Sequence, residues 1–413
     1  MSFSKVADKI GSYRNEIIEL ERSLVAIPAL SPDYDALPEQ TGEVRKVEFL
    51  KKYLKKHGIE NLEEINAPDS RVPEGYRPNL IARIKGQSNE RTVWVMAHTD
   101  VVPPGDMSKW NSDPWELKVD GDVLYARGVE DNHQGLVAGV MAARAFVETG
   151  TVPPYDLAIL FVADEECGSD YGIQYVLKNG NPFKPEDIII IPDGGSPDGS
   201  EIEVAEKSIA WAKFTLEGKQ CHASMPDHGI NAMRAGANLI VKMDKMLHEE
   251  FADRDPVFNP PESTFEPTKK NSNVGAVNII PGDDVFYFDC RILPKYNLEK
   301  IISRMTDVAG EIEREFNVKC TLSFDQKEEA APPTSEDAPV VGLLKSAVKE
   351  VYGIEGKPVG IGGGTVAAYL RREGLPCVVW SKMEETMHAP NENANVNNIL
   401  GDAKVIAHLA LSR

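Results

Sequence analysis

The stretch Val93-Trp94-Val95-Met96-Ala97-His98-Thr99-Asp100 joins an apolar run to a His-x-Asp ending. Such a run predicts a β-strand buried on both faces of an α/β sheet. Ligands of open α/β sheets bind beyond the carboxyl ends of the strands, where this polar pair falls. Because successive strand residues alternate, His98 and Asp100 point to the same side. A metal-bound imidazole usually donates its other N–H to a carboxylate, so His98 is a candidate metal ligand and Asp100 its candidate partner.

Two further apolar runs also end in carboxylates. Residues 157–163 precede an acidic turn with Glu165 and Glu166, and residues 188–192 precede Asp193. Adjacent carboxylates repel each other unless a cation lies between them or one of them is protonated. For the turn with Glu165 and Glu166 taken alone, a solvated loop tip is the alternative explanation. The recurrence of carboxylates after strands that alternate with helical segments predicts an α/β sheet with acids along one edge.

Asp131 and His388 complete the candidate set. Asp131 precedes a predicted helix (residues 136–149), where it is either an N-cap or a carboxylate presented to a metal. His388 lies in the loop before the last predicted helix, residues 396–411. Two imidazoles and several carboxylates form a ligand set for two borderline divalent ions. One carboxylate would lie between ions held about 3.5–4 Å apart, and a spare Glu would carry the proton.

Composition restricts the class of protein. The chain has 413 residues, enough for a large core and two domains, with 42% hydrophobic and 27% charged residues. A formal net charge of -20 argues against nucleic acid as a partner, because the phosphates would be repelled. Residues 1–24 predict an amphipathic helix rather than a signal peptide, and no apolar run predicts a membrane span. Five cysteines without C-x-x-C spacing predict reduced thiols and a cytoplasmic protein.

The order of predicted strands and helices changes from about residue 207. We expect strands at 209–216 and 318–324, helices at 231–251 and 298–316, and two strands around the turn Pro281-Gly282-Asp283-Asp284. The order βαββαβ is the ferredoxin-like arrangement. The α/β pattern resumes near residue 339. The sequence therefore predicts a catalytic α/β domain of residues 1–206 and 326–413, interrupted by an α+β domain of residues 207–325.

Five motifs resemble, in their order along the chain, those of one enzyme family: Met96-Ala97-His98-Thr99-Asp100-Val101-Val102-Pro103, Gly128-Val129-Glu130-Asp131, Asp164-Glu165-Glu166-Cys167-Gly168, Pro192-Asp193 and Met387-His388-Ala389-Pro390-Asn391-Glu392. Over nearly its whole length the chain resembles the dinuclear-zinc amidohydrolases and metallopeptidases. This family includes aminoacylases, acetylornithine deacetylase, succinyl-diaminopimelate desuccinylase, glutamate-releasing carboxypeptidases and carnosinase-like dipeptidases. The resemblance implies a three-layer, zinc-peptidase-like catalytic domain with an inserted ferredoxin-like lid and dimerisation domain.

The resemblance also implies a role for each candidate ligand. His98 and Asp193 would hold one divalent ion. Glu166 and His388 would hold the second ion, and Asp131 would bridge the two. The ions would be zinc, with cobalt and manganese as alternatives.

Two further residues of the motifs receive catalytic roles from the resemblance. Glu165 would be the general base that activates the bridging water and later protonates the leaving nitrogen. Asp100 would orient His98, as the strand alternation also indicates. In the family the peptide bond after the bridging aspartate is often cis, and here this bond joins Asp131 and Asn132.

The inserted domain has a part in catalysis and assembly according to the same resemblance. His222 would reach the active site of a neighbouring subunit in a homodimer and stabilise the tetrahedral oxyanion, as a positioned hydrogen-bond donor does. Asn278 and Arg291 would bind the substrate carboxylate, the arginine through its bidentate fork. The segment Gly363-Gly364-Thr365, with Gly362 before it, would offer backbone N–H groups to the same carboxylate. A surface ion pair at Arg291 and a flexible glycine turn are the alternatives.

These expectations lead to a hydrolase of amide or peptide bonds in a small peptide or N-acyl amino acid with a free carboxylate. Asp193 stands where the deacylase branches of the family typically carry Glu, which favours a dipeptidase. An N-acyl-amino-acid deacylase of the acetylornithine deacetylase or succinyl-diaminopimelate desuccinylase type is the alternative. A non-catalytic metal-binding scaffold of the same fold is an alternative from another class. A di-metal phosphoesterase is a third alternative, although the motifs contain no cluster of Arg or Lys that would bind a phosphate.

Overall fold

The computed structural model describes residues 2–413 of the chain. Two units are distinguished by their internal packing. The first unit contains the described residues through Val204, together with Thr334–Pro358 and Tyr369–Arg413. The second unit contains Ala205–Pro333 and Val359–Ala368. The glycine segment at 362–364 thus belongs to the second unit, whereas the sequence prediction assigned it to the catalytic domain.

The helices follow the apolar periodicity of the sequence. They are α1 (Ser2–Gly11), α2 (Arg14–Val25), α3 (Glu43–Lys56), α4 (His133–Thr149), α5 (Ile173–Gly180), α6 (Ala232–Glu250), α7 (Leu298–Phe316), α8 (Pro339–Tyr352), α9 (Ala367–Arg372) and α10 (Val396–Leu411). Within residues 2–413, no helix has both the length and the apolar character needed to cross a membrane.

The strands form one large sheet and several small ones. They are β1 (Leu62–Glu64), β2 (Ala67–Pro68), β3 (Tyr76–Arg77), β4 (Leu80–Ile84), β5 (Ser88–His98), β6 (Lys118–Asp120), β7 (Val123–Tyr125), β8 (Tyr155–Val162), β9 (Ile188–Ser196), β10 (Glu201–Glu206), β11 (Ser208–Glu217), β12 (Cys221–His222), β13 (Thr264–Lys270), β14 (Ile279–Ile280), β15 (Asp283–Ile292), β16 (Lys319–Glu328), β17 (Lys357–Ile361), β18 (Cys377–Lys382) and β19 (Asn393–Asn395).

The large sheet is mixed and has the strand order β1-β4-β8-β5-β9-β18-β10-β17. β5 runs parallel to both of its neighbours, β8 and β9, and β18 runs parallel to β9. β4 pairs antiparallel with β8, and β10 pairs antiparallel with β18. The carboxyl ends of β8, β5 and β9 therefore meet at one edge of the sheet. The α/β fold that the sequence predicts is confirmed.

α4 is the most deeply buried helix segment beside this sheet, and it packs against β5, β9, α1 and α10. Every residue from His133 to Phe146 is buried. A Cβ on Gly139 would lie 3.3 Å from Val95 Cγ1 and 3.5 Å from Ile159 Cγ2, so this glycine permits the close approach of helix and sheet. Because α4 begins two residues after Asp131, its packing also fixes the position of that carboxylate.

The single amphipathic helix predicted for residues 1–24 is wrong, because the chain forms α1 and α2 with a break between them. Residue 1 lies outside the described residues. The amides of Ser12 and Tyr13 bond back to the carbonyls of Lys9 and Ile10, at 3.1 and 2.9 Å, and this turn ends α1. The ring of Tyr13 is buried, and its centre lies 4.6 Å from the Arg144 guanidinium. Burial of this ring favours the bend over a continuous helix.

The second unit has a four-stranded antiparallel sheet in the order β13-β15-β11-β16. Alternate residues of β11 and β15 form a core with α6 and α7, among them Phe214, Leu216, Phe286 and Phe288. Along the chain the order β11-α6-β13-β15-α7-β16 is βαββαβ, as predicted for the insert. Its second strand lies earlier than predicted, because β13 rather than a strand directly before the turn at Pro281 joins the sheet. A short ladder of β12 and β14 pairs His222 with Ile279.

Candidate active site

The predicted ligands come from different segments that reach one edge of the large sheet: His98 at the end of β5, Asp131 before α4, Glu166 after β8, Asp193 in β9 and His388 in the loop before β19. His98 Nε2 lies 2.8 Å from Asp131 Oδ1 and 3.4 Å from Asp193 Oδ1. These three side chains form the first candidate ligand group.

A second ligand group shares Asp131 with the first. His388 Nε2 lies 3.0 Å from Asp131 Oδ2 and 3.1 Å from Glu166 Oε2. Each carboxylate oxygen of Asp131 thus faces a different imidazole, as in a carboxylate that bridges two ions. The peptide bond between Asp131 and Asn132 is cis, as the family resemblance implies. Asn132 Nδ2 donates a hydrogen bond to Asp193 Oδ1 and so connects the cis peptide to the first group.

The residues present fit a pair of divalent cations. In the first group, ligand atoms of His98, Asp131 and Asp193 lie within 4.8 Å of one another, and the same limit holds for the second group. Imidazole nitrogens and carboxylate oxygens are donors that zinc and related ions accept. Glu166 Oε1 is buried and has no hydrogen-bond partner among the described residues, as expected of an oxygen that faces a cation.

Burial and mutual repulsion shift the ionisation of the carboxylates. Burial and the charge of Asp131 raise the pKa of Glu166 to about 7. Burial and the charge of Asp193 raise the pKa of Glu165 well above its usual value. Hydrogen bonds to Asp131 and Glu166 raise the pKa of His388 to about 10. Divalent cations would offset this concentration of negative charge.

Asp100 contacts both His98 and the acidic turn after β8. His98 Nδ1 lies 3.0 Å from the carbonyl oxygen and 3.4 Å from Oδ1 of Asp100, so Nε2 faces the ligand group. The Asp100 carboxylate accepts hydrogen bonds from the amides of Glu165 and Glu166, both at 3.1 Å. Burial alone would lower the pKa of His98, but Asp193 and the hydrogen-bonded carboxylates hold this pKa well above its usual value.

Glu165 has a carboxylate that accepts no hydrogen bond from the described residues. Among the described residues, its hydrogen bonds are made by its backbone. One carboxylate oxygen lies within 4.8 Å of ligand atoms of His98 and Glu166. A carboxylate in this position can take a proton from a water held between the ligand groups.

Glu392, to which the sequence interpretation gave no role, binds the loop before α4. Its Oε1 accepts hydrogen bonds from the amides of Glu130 and Asp131, at 2.9 and 3.1 Å. Its Oε2 accepts from the amide of Gly128 at 3.0 Å and from Arg127 Nη1 at 2.5 Å. Glu392 therefore fixes the backbone that presents the Asp131 carboxylate to both imidazoles.

Glu130, also without a role from the sequence, binds the loop that carries His388. Its carboxylate accepts hydrogen bonds from the amides of Glu384 and Thr386 and, at 2.7 Å, from the Thr386 hydroxyl. Glu130 and Glu392 are both fully buried. Their place inside the motifs around Asp131 and His388 is the sequence signal that could have identified them.

A buried ion network supports the turn that carries Glu165 and Glu166. Arg77 contacts Glu43 at 2.6 Å and Asp164 at 2.5 Å, and all three side chains are buried. The amide of Asp164 also donates to Glu43 Oε1, at 3.0 Å. These residues lie far apart along the chain, and no local pattern in the sequence pairs them.

His222 and Asn278 lie beside each other at the exposed end of the β12–β14 ladder in the second unit. The amide of Ala223 donates to the carbonyl of Asn278, at 2.9 Å. His222 Nδ1 accepts the amide of Ser224 at 3.2 Å, and the Ser224 hydroxyl lies 2.8 Å from the same nitrogen. Because Nδ1 acts as an acceptor, the neutral ring carries its proton on Nε2, which is therefore a hydrogen-bond donor.

Arg291 makes an ion pair and also contacts the glycine segment of the second unit. Its Nε and Nη2 donate to Asp289, at 2.6 and 3.1 Å. Its Nη1 donates to the carbonyl of Gly362, at 2.9 Å. The ion pair that was the alternative interpretation of Arg291 is thus present and leaves part of the guanidinium free.

The amides of the glycine segment differ in their availability to a ligand. The amide and the hydroxyl of Thr365 both donate to Glu206 Oε1, at 3.2 and 2.5 Å. The hydrogen bonds of the described residues leave the amides of Gly363 and Gly364 available. In this structure Thr365 therefore anchors the segment, and the two glycines present free N–H groups.

The sequence profile of peptidase family M20/M25/M40 matches residues 94–412 of this chain. The chain belongs to this family. The matched region contains every candidate ligand, Glu165 and the predicted inserted domain. The family resemblance that the five motifs carry is thereby confirmed, and the protein is an M20-family metallohydrolase.

Two relatives of this M20-family chain align with it over almost its full length. An uncharacterized metallohydrolase of Methanococcus maripaludis is 38% identical over 411 residues, which cover 95% of this chain and 98% of the relative. A succinyl-diaminopimelate desuccinylase of Nitratiruptor sp. is 27% identical over 400 residues, which cover 93% of this chain and 96% of the relative. The solved structure of the dipeptidase Dug1p from Saccharomyces cerevisiae matches with a TM-score of 0.73 at 18% identity, covering 100% of this chain and 98% of that chain. The structural match establishes a shared fold.

Proposed function

We propose that this protein hydrolyses the amide or peptide bond of a small substrate with a free carboxylate, and that its preferred substrate is a dipeptide. The observation that carries the proposal is the position of Asp131 between two imidazoles, each of which faces a further carboxylate. Two ions with a common carboxylate beside an unengaged glutamate form a centre suited to hydrolysis.

The chemistry divides between the ions and the side chains. The proposed ligands are His98 and Asp193 for one ion, Glu166 and His388 for the other, and Asp131 for both. When bound, the two ions polarise the scissile carbonyl and lower the pKa of a water. Glu165 takes the proton of that water and returns it to the leaving nitrogen. Asp100 holds the His98 ring with Nε2 towards Asp131 and Asp193, and it fixes the backbone of Glu165.

The second unit supplies groups that suit the rest of the substrate. Arg291, Asn278 and the free amides of Gly363-Gly364 would bind the substrate carboxylate. His222 would donate from Nε2 to the oxyanion that forms when the carbonyl is attacked. The contact between Ser224 and Nδ1 supports this role, because it keeps Nε2 protonated.

The choice of substrate rests on one position of the first ligand group. Asp193 supports a dipeptide, because the deacylase branches of the family typically carry Glu there. The 27% identity to a succinyl-diaminopimelate desuccinylase supports an N-acyl-amino-acid deacylase as the second candidate. Both substrates present an amide bond and a carboxylate, so both suit the same set of catalytic groups.

A homodimer is part of the proposal. Met233 and Val241 are 48% and 68% exposed and lie eight residues apart, on one side of α6. A second copy of the chain would bury this apolar surface, and light scattering measures the mass of the assembly. If His222 acts across subunits, mixing Glu165→Ala with His222→Ala protein restores part of the activity. No recovery after subunit exchange would contradict that role.

Zinc is the proposed metal, because imidazole and carboxylate ligands suit this borderline ion. Cobalt and manganese are the alternatives, and elemental analysis of protein purified without added metal distinguishes them. The cytoplasm is the proposed compartment, since the structure pairs none of the five cysteines in a disulfide. Cell fractionation with an antibody to the protein tests the compartment.

The proposed activity is tested with a panel of dipeptides, N-acetyl amino acids and N-succinyl amino acids, with zinc, cobalt or manganese added. Mass spectrometry identifies the products. Cleavage of dipeptides alone supports the dipeptidase, and cleavage of N-acyl amino acids alone supports the deacylase. A protein that binds two metal ions yet cleaves nothing in the panel favours the non-catalytic scaffold.

A further inference from the structure

A tryptophan, an aspartate and an arginine of the second unit form one hydrogen-bonded chain. Even-numbered residues of β11 and β15, such as Phe214 and Phe288, enter the core, so Trp211, Asp289 and Arg291 lie on the opposite face of the sheet. Trp211 and Asp289 are direct partners across the ladder, and Trp211 Nε1 donates to Asp289 Oδ2 at 3.1 Å. The Asp289 carboxylate therefore accepts hydrogen bonds from the indole and from the guanidinium together.

The chain continues from Arg291 to the glycine segment. Asp289 engages Nε and Nη2 of Arg291, and the Gly362 carbonyl engages Nη1. These contacts use three of the five N–H groups of the guanidinium, so each terminal nitrogen keeps one for a ligand. A flexible arginine loses side-chain entropy when it binds a ligand, and an arginine already held on two sides loses less.

We propose that Asp289, held by Trp211, is the positioning residue that joins Arg291 and the amides of Gly363-Gly364 into one carboxylate-binding surface. This inference rests on the proposed function, because it assigns the recognition of the substrate carboxylate to these groups. Asp289 reduces the net charge at Arg291, so its contribution is orientation rather than attraction. Orientation of a group that contacts the substrate equally before and during reaction acts on KM and leaves kcat nearly unchanged.

Asp325 provides a matched control for Asp289. It is an exposed carboxylate on β16, and it lines the same cavity of about 220 Å³ as Trp211 and Asp289. The ion pair of Arg291 among the described residues is with Asp289 rather than with Asp325. Removing the charge of Asp325 therefore changes the electrostatics of this face without releasing the arginine.

The kinetic test uses the substrate found in the hydrolysis panel. Asp289→Asn is expected to raise KM about tenfold with kcat within about threefold of wild type. Trp211→Phe keeps an aromatic ring and removes the indole N–H, so it is expected to raise KM less than Asp289→Asn does. Asp325→Asn is expected to leave KM unchanged. Thermal unfolding shows which variants fold. If Asp289→Asn does not fold, the KM of Trp211→Phe decides whether Asp289 positions Arg291. An unchanged KM in the folded variants, or a loss confined to kcat, would overturn the inference.

Binding is measured separately from turnover, in zinc-loaded Glu165→Gln protein. The probes are alanylalanine, N-acetylalanine and the C-terminal amide of each. Tryptophan emission is expected to change when a probe with a free C-terminal carboxylate is added and to stay constant when its amide is added. The change is expected to be absent in the double variant Glu165→Gln/Trp211→Phe. If this change is seen but wild type hydrolyses nothing, the proposed function fails and the inference stands. If hydrolysis proceeds but the emission does not distinguish the carboxylate probes from the amides, the inference fails. If no probe binds, the inference and the proposed function both fail.

Discussion

Glu130 and Glu392 each bind the loop from which the other comes. Glu392 accepts hydrogen bonds from the amides of Glu130 and Asp131, and Glu130 accepts them from the amides of Glu384 and Thr386. Both carboxylates are fully buried, so these bonds are protected from water. The loops that carry Asp131 and His388 are therefore held together by the protein itself, which sets the spacing of the second ligand group.

Glu392→Gln tests this arrangement. The substitution replaces one carboxylate oxygen with an NH₂ group that faces backbone donors, and a buried unsatisfied donor costs about 1–3 kcal/mol. We expect a lower melting temperature and a zinc affinity about tenfold weaker, because groups that position ligands have effects of this size. Thermal unfolding and competition with a zinc chelator measure the two effects.

Glu336→Gln is the control for this experiment, since Glu336 is exposed and lies outside the motifs. It is expected to match wild type in both measurements. A Glu392→Gln protein that binds zinc as tightly as wild type would contradict the positioning role of this carboxylate.

Asp402 gives a pH-dependent prediction away from the ligand groups. It accepts hydrogen bonds from the hydroxyls of Ser381 and Tyr352, at 2.7 and 2.8 Å, yet burial raises its pKa to about 6. In the unfolded chain the pKa of an aspartate is about 3.9. The folded protein binds this proton more tightly, so the stabilisation is fully present below about pH 3.9 and is lost as the pH rises through about 6.

Asp402→Asn isolates this effect, because asparagine does not ionise in this range. The free energy of unfolding of wild type relative to the variant is expected to fall by about 2–3 kcal/mol between pH 4 and pH 8. Urea denaturation of both proteins across this range measures the difference. A difference that stays constant with pH would show that the pKa of Asp402 is not raised.

Ser224→Ala tests the tautomer proposed for His222. Loss of the hydroxyl leaves the backbone amide of residue 224 as the single donor to Nδ1. The preference for a proton on Nε2 then weakens, and Nε2 becomes a poorer donor to the oxyanion. We expect kcat to fall about three- to tenfold with KM little changed, as for a weakened transition-state contact. Nitrogen-15 NMR of labelled histidine reports the tautomer directly.

Ser272→Ala is the matched control for Ser224→Ala, because Ser272 is an exposed serine of the same unit. It is expected to leave both kcat and the histidine spectrum unchanged. If Ser224→Ala keeps both as well, the Ser224 hydroxyl does not contribute to the choice of tautomer.

The sequence predicted the candidate ligands because each follows a local pattern. His98, Glu166 and Asp193 end or follow apolar strands, and parallel pairing brings such ends to one edge. The βαββαβ order of the insert was also predictable from the alternating and helical periodicities along the chain, but the position of β13 was not.

The contacts that hold the site were not predictable in the same way. Glu130 and Glu392 are 262 residues apart, and their bonds arise only when two loops meet. The chain from Trp211 through Asp289 to Arg291 depends on the register of β11 and β15, which a single strand does not reveal. The break after α1 depends on the burial of Tyr13, which competes with the helical periodicity of residues 1–24.

The central claim is that two bound ions and the Glu165 carboxylate together carry out hydrolysis. The most direct measurement is the metal content of wild type and Glu165→Gln by elemental analysis, combined with turnover of the substrate found in the panel. We predict two zinc ions per chain in both proteins and hydrolysis in wild type alone. Fewer than two ions in wild type, or hydrolysis that persists in Glu165→Gln, would contradict the claim.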